Sequence, residues 1–293
     1  MMKTKRAAVI YAVLAALLYA INIPFSKVLL NMVQPAMMAA LLYLGAGLGL
    51  AVYGLTAREK EPVEPIGKKQ YPYVMGMILL DIAAPILLML GLNSTGAANA
   101  SLLNNFEIVA TSLIAFLVFR EKVSGKLALA IVLVLAASII LSLEGGESFR
   151  FHIGSVYVLG AAACWGMENN CTRMLSNCSS VRITTIKGIF SGIGSLIVAF
   201  IAREQLPQIG WLVVVMALGF VAYGLSINFY IKAQSVLGAA KTSAYYSVAP
   251  FMGVAFGMVM LGERPAWQFY AGLAILIVAT ALMVKDTFDT AEY

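Results

Sequence analysis

The sequence predicts an all-α integral membrane protein of ten transmembrane helices arranged as two inverted five-helix repeats. Of its 293 residues, 61% are hydrophobic and 12% charged, with a mean hydropathy of +0.88. Soluble domains carry about 25% charged residues. Apolar stretches long enough to cross about 30 Å of hydrocarbon recur ten times. A 27-residue pattern also occurs twice, as GAANASLLNNFEIVATSLIAFLVFREK at 96–122 and GAAKTSAYYSVAPFMGVAFGMVMLGER at 238–264. At an offset of 142 the copies share Gly-Ala-Ala, Ser101 with Ser243, and Glu121 with Glu263.

The first apolar run, 7–30, follows Lys3, Lys5 and Arg6. It is too long for a secretory signal, and Asn22-Ile23-Pro24 at its end offers no small-residue cleavage site, so it reads as a retained helix. The second run, 35–56, carries Gly45 and Gly49, a small-xxx-small pair that lets helices approach closely; a connection with Pro62 and Pro65 follows. The third, 71–93, places Asp81 mid-span, four residues before the kink-former Pro85. The fourth, 96–119, is the first copy of the repeated block, and the fifth covers 125–143. A short linker, 144–152, separates residues 1–143 from 153–285, which hold five spans each.

The second half runs 153–176, 181–202, 208–232, 238–261 and 266–284. Gly188 and Gly192 in its second span stand 143 positions after Gly45 and Gly49, and Gly253 and Gly257 in its fourth face Thr111 and Ala115 by the repeat register. Because the runs are continuously apolar rather than alternating, a transmembrane β-barrel is excluded. Five is odd, so the second half enters the membrane from the opposite side to the first. That arrangement belongs to secondary transporters, whose solute path lies between the repeats near the midplane.

With both termini in the cytoplasm, 16 of the 20 Lys and Arg fall inside and Lys27, Arg150, Arg203 and Arg264 fall outside. This positive-inside bias supports ten spans. The net charge of +6 is then a basic face against anionic lipid, and no nucleic-acid partner is needed.

The repeated block, with Arg120-Glu121-Lys122 or Gly262-Glu263-Arg264 between two apolar helices, resembles the EamA family of the drug/metabolite transporter superfamily. So do the half-openers, Leu17-Leu18-Tyr19-Ala20-Ile21-Asn22 through Lys27 and Ala163-Cys164-Trp165-Gly166-Met167-Glu168 through Arg173, aligned at an offset of 146. The resemblance implies a ten-helix carrier in a prokaryotic cytoplasmic membrane, often an exporter of amino acids or other small metabolites. Pro250 occupies the proline site usual in this helix; the first copy has Ile108 there, preceded by Glu107.

Deep charge is expected to be acidic: Asp81, Glu107 and Glu168 lie within spans, whereas Lys27, Arg173, Lys187 and Lys241 lie near helix ends and can snorkel. A central acid costs about 2.5–3.5 kcal/mol on insertion scales, so it should face a polar cavity or a partner. Asn104, Glu107 and Thr111 form one polar stripe, and Trp165, Glu168 and Thr172 another at the same spacing. These two stripes read as walls of one cavity, with Asn169, Asn170, Asn22, Asn228, Tyr223, Tyr245 and Tyr246 adding hydrogen-bonding groups. Buried amides and phenols also join helices to one another without binding anything.

The expected solute-binding set is Glu107, Asn104, Glu168, Trp165, Asn169, Asn228 and Tyr246, and the expected coupling set is Glu107, Glu168 and Asp81. Desolvation penalises an ionised carboxylate, so such a group can exchange a proton or take a cation. Trp165 beside Glu168 suits an amine-bearing or cationic solute; an anionic or zwitterionic solute neutralised by Lys241 or Arg173 is the alternative. A membrane enzyme using Glu107 and Glu168 as acid and base is a competing class, and a channel a third. A single histidine, His152, leaves no basis for a His triad or metal cluster, and no Walker-type loop or other cofactor motif occurs. Cys164, Cys171 and Cys178, every seven residues, fit no zinc pattern and read as helix-face filler.

Overall fold

The computed structural model describes residues 2–56, 66–119, 124–142, 152–175, 178–237, 245–246 and 248–290, all helical apart from turns and loops. The elements are α1 (Met2–Ala20), α2 (Asn22–Leu29), α3 (Pro35–Thr56), α4 (Tyr71–Ser94), α5 (Ala97–Leu103), α6 (Phe106–Phe119), α7 (Gly125–Ser142), α8 (Ile153–Arg173), α9 (Ser180–Ile201), α10 (Ile209–Gly219), α11 (Ser226–Leu237), α12 (Ala249–Leu261) and α13 (Trp267–Thr290). A 3-10 turn precedes α4, and a π-helical segment, Phe220–Leu225, joins α10 to α11. Among the described residues, five helical stretches are long and apolar enough to cross a membrane: Arg6–Leu29, Pro35–Leu55, Lys68–Ser94, Ser180–Ile201 and Ile209–Ala233.

Three of the expected spans are interrupted near their middles. In the first, α1 ends before Ile21, and Pro24, which has no N–H to give to the preceding turn, sits in α2. In the fourth, Asn104 and Asn105 form a tight turn in which Asn105 N–H reaches back only three residues, to Leu102 O (3.1 Å). Glu107 therefore opens a new helix, α6, where its charge meets the positive end of the helix dipole. In the eighth, the π segment turns Tyr223 inward, and Tyr223 is buried.

Close packing follows the glycines, but not always the expected pairs. A Cβ on Gly188 would lie 2.4 Å from Gly47 Cα, and one on Gly45 2.0 Å from Met216 O, so α3 touches α9 and α10 backbone to backbone. Gly253 and Gly257 face Ser101 and Ala98 on α5, so Gly253 meets a residue of α5 where the register suggests Thr111. Helices that pack antiparallel bring repeat mates together only where they cross, and elsewhere the register carries them apart. The main contacts join α3 with α9, α4 with α8, α7 with α13, α1 with α11, α5 with α12 and α6 with α8. Large apolar side chains such as Leu117, Ile209 and Val259 are exposed, as lipid-facing residues are. Cys171 is buried against Gly76 (3.0 Å from a Cβ there).

At one end, the helices of the first half are capped by glutamates of the second. Ala97 and Ala98 N–H donate to Glu263 Oε1 and Oε2 (2.7 and 2.8 Å), and Ala36 and Met37 N–H donate to Glu204 Oε1 and Oε2 (3.1 and 2.6 Å). Each carboxylate satisfies two of the orphan donors that every helix start exposes. Glu121, the repeat mate of Glu263, lies outside the described residues. Glu263→Ala should destabilise the protein by about 1–3 kcal/mol, read as a lower midpoint of thermal unfolding in detergent, with Glu263→Gln intermediate because one amide oxygen can still accept.

Candidate functional site: a tyrosine-lined centre and a buried ion triad

The interrupted helices converge on a set of tyrosines. Ring centroids link Tyr43 to Tyr223 (5.1 Å), Tyr223 to Tyr19 (6.0 Å), Tyr19 to Tyr246 (5.8 Å) and Tyr246 to Tyr230 (5.1 Å). These rings come from α3, the π segment, α1, the segment before α12 and α11. Asn22 Nδ2 donates to Tyr223 OH (3.0 Å), and Asn104 Nδ2 to Tyr19 OH (3.3 Å).

Glu107 lies at the edge of this set, half-buried. Its charge acts electrostatically on Tyr19, Tyr223 and Tyr246. Asn169 Nδ2 donates to Glu107 Oε1 (2.8 Å) and approaches Thr111 Oγ1 (3.4 Å), while the Thr111 hydroxyl donates to Glu107 O (2.8 Å). No Lys or Arg pairs with Glu107 within 4 Å among the described residues. Asn104 Oδ1 is buried without a donor among the described residues. A carboxylate and an amide oxygen beside phenol rings form an acceptor-rich, aromatic place of the kind that receives N–H donors and cations.

The other two acids stand in a different environment. Lys187 Nζ bridges Asp81 Oδ2 (3.1 Å) and Glu168 Oε1 (2.9 Å), and all three side chains are at most 8% exposed. Tyr43 OH donates to Asp81 Oδ1 (2.8 Å), Trp165 Nε1 to Tyr43 OH (3.4 Å), and Thr172 Oγ1 to Glu168 Oε1. The expectation that Lys187 snorkels to an interface is therefore corrected. Depth along its own helix does not decide where Lys187 points; two buried carboxylates on α4 and α8 within reach of its amine do. Arg173 is exposed at the end of α8 and Lys27 Nζ donates to Leu92 O, both near helix ends as expected. Lys241 lies outside the described residues.

The expected site residues thus divide. Asn104, Glu107, Asn169 and Tyr246 belong to the tyrosine-lined centre, whereas Glu168 and Asp81 belong to the triad; Trp165 reaches the triad through Tyr43. Asn170 donates to Gly166 O (2.8 Å) and Thr111 O (3.1 Å), a helix-joining role. Asn228 is buried on α11 with neither amide atom hydrogen-bonded among the described residues.

Sequence reasoning missed Lys187, Tyr19 and Tyr43 as central groups. One signal was available: Thr184, Lys187, Ser191 and Ser195, at spacings of three and four, form a buried polar stripe on α9 beside Gly188 and Gly192.

This arrangement can be set beside known proteins. The model of the EamA-like transporter family matches residues 6–143 and, separately, 152–285. The chain belongs to the EamA-like transporter family. A curated relative of this EamA-like protein, described as an uncharacterized transporter from Methanothermobacter thermautotrophicus, is 25% identical over 298 aligned positions, covering 92% of this chain and 83% of the relative. One solved crystal structure matches 97% of this chain and 99% of its own with a TM-score of 0.70 and 15% identity, a likeness of fold. Family membership and the apolar helices make this EamA-like chain a multi-pass membrane transporter, which points away from the enzyme class.

Proposed function

We propose that the protein is a secondary active transporter, acting as a proton-coupled exporter or exchanger, for a small amine-bearing or cationic metabolite or amino acid. The observation that carries this reading is Glu107: a half-buried carboxylate with no basic partner among the described residues, beside Tyr19, Tyr246 and the unsatisfied Asn104 Oδ1. An ammonium docks on Glu107 when the carboxylate is ionised, and a proton takes its place when the solute leaves. Glu107 is thus the first coupling group, ahead of Glu168 and Asp81. An anionic solute is disfavoured because the central cation, Lys187, is already committed to two acids.

Residues 1–143 and 153–285 act as two five-helix repeats of opposite orientation, with both termini in the cytoplasm of a prokaryote and the solute path between them. The contact pattern supports this: exchanging the halves turns the α4 and α8 contact into that of the eighth and first spans, and maps α3 with α9, and α7 with α13, onto themselves. Breaks in helices beside a midplane site are also the way membrane carriers expose backbone groups to a solute.

The test is counterflow in sealed proteoliposomes, run first across labelled amines, amino acids and nucleobases. Saturable exchange of an unmodified amine is expected; chemical change would identify an enzyme and unsaturable flux a channel. Single cysteines beside Glu121 and Glu263 should label from opposite faces, and labelling from the same face would overturn the inverted repeat.

A further inference from the structure

The triad of Asp81, Lys187 and Glu168 is unbalanced. Two carboxylates face one ammonium, and the side chains of Asp81 and Glu168 are 0% and 2% exposed. A net charge of −1 with all three groups ionised is costly where water is excluded, whereas one ion pair plus one neutral acid is far less so. The titratable and charged groups facing the two acids come from every surrounding helix: Tyr43 on α3, Glu107 on α6, whose charge acts on Glu168 and Lys187, Cys164 and Cys171 on α8, Lys187 on α9 and Tyr223 on the π segment. Of these, only Lys187 brings positive charge.

The two-fold organisation supplies an internal comparison. Offsets of 143 in the second span and 142 in the fourth bracket Asp81, so its mate in the other half is Tyr223 or Gly224; the opener offset of 146 makes Asn22 the mate of Glu168. Asn22 and Tyr223 are themselves bonded, through Asn22 Nδ2 to Tyr223 OH at 3.0 Å. At the equivalent place in the fold, then, a neutral amide and phenol join the helices. Joining these helices does not require charge. What the charged version adds is the capacity to take up and release a proton.

We propose that Asp81, Lys187 and Glu168 form a second proton-binding site, distinct from the solute carboxylate Glu107. One exchangeable proton resides on the carboxyl oxygens of Asp81 or Glu168; its departure to water leaves both acids ionised around Lys187 and takes the triad from neutral to −1. Asp81 belongs to the first half and Glu168 and Lys187 to the second, so the charge change falls across the interface that must rearrange during transport. Its role in transport rests on the carrier reading above; the proton itself is tested without any solute.

The experiment is infrared difference spectroscopy of the full-length protein in lipid, following the C=O band of protonated carboxyl groups as perfusate is switched between about pH 5.5 and 8.5. The wild type is expected to show two buried carboxyl signals that vanish at high pH, and Glu107→Gln should remove one. Asp81→Asn or Glu168→Gln should each remove the other completely, because either leaves a neutral ion pair with no proton to release. Lys187→Arg should keep it. If Glu107→Gln abolishes every pH-dependent buried carboxyl signal, or if Asp81→Asn and Glu168→Gln both leave two, the second site is overturned. Loss of counterflow in the wild type would instead overturn only the carrier reading.

Discussion

Glu107→Gln is expected to yield a folded protein whose solute exchange no longer responds to pH. Gln keeps the length of Glu and can still accept the Asn169 bond at the site of Oε1, so the start of α6 should be preserved. What disappears is the charge, and with it the difference in affinity between protonated and ionised states that alone can shift a carrier's equilibrium. A charge-assisted hydrogen bond is worth about 1.5–3 kcal/mol, so amine affinity should fall by roughly 10- to 100-fold. Uptake into proteoliposomes of an amine identified by counterflow, measured from about pH 5.5 to 8.5, checks both effects. A variant with the wild-type pH profile would remove Glu107 as the coupling carboxylate and leave Glu168, then Asp81, to be tested.

Lys187→Met should be the most destabilising single substitution in the centre. It removes the ammonium that approaches Asp81 at 3.1 Å and Glu168 at 2.9 Å, leaving two buried acids to be neutralised by protons alone. Breaking a buried pair from one side costs about 3–5 kcal/mol, which corresponds to a fall of roughly 6–20 °C in the midpoint of thermal unfolding of a large domain. Adding Asp81→Asn should return part of that loss, since one of the stranded acids is then gone. The double variant should therefore be more stable than the sum of the singles by about 0.5–3 kcal/mol. Strict additivity in detergent would show that Lys187 and Asp81 do not act as a pair.

Much of this was legible in the chain. Composition and run length identify membrane helices, and the spacing of Glu107 and Thr111 puts both on one face of α6, with Asn104 in the turn just before it. Asn169, which directly follows Glu168, reaches Glu107 because the α6 and α8 backbones nearly touch: a Cβ on Gly166 would sit 2.8 Å from Thr111 N. The rest depends on information that a linear reading lacks. Lys187 is two turns into its helix, which suggests a shallow position until the partner acids on α4 and α8 are located in space. The interruptions at Ile21 and at Asn104–Asn105 lie inside runs long enough to be read as single spans, so span length alone conceals them. Tyr19 and Tyr43 look like ordinary apolar-face residues until three other tyrosine rings and the carboxylates are brought beside them by helices far apart in sequence.

The carboxylate caps of Glu204 and Glu263 act as a latch between sequence-distant helices. They hold α3 and α5 from across the two halves through four backbone N–H bonds at one end. Parting the halves there releases all four donors together. In the carrier proposed above, opening at that end has to break these four bonds together, so the expected result is that Glu204→Gln with Glu263→Gln speeds exchange while leaving affinity for the solute unchanged.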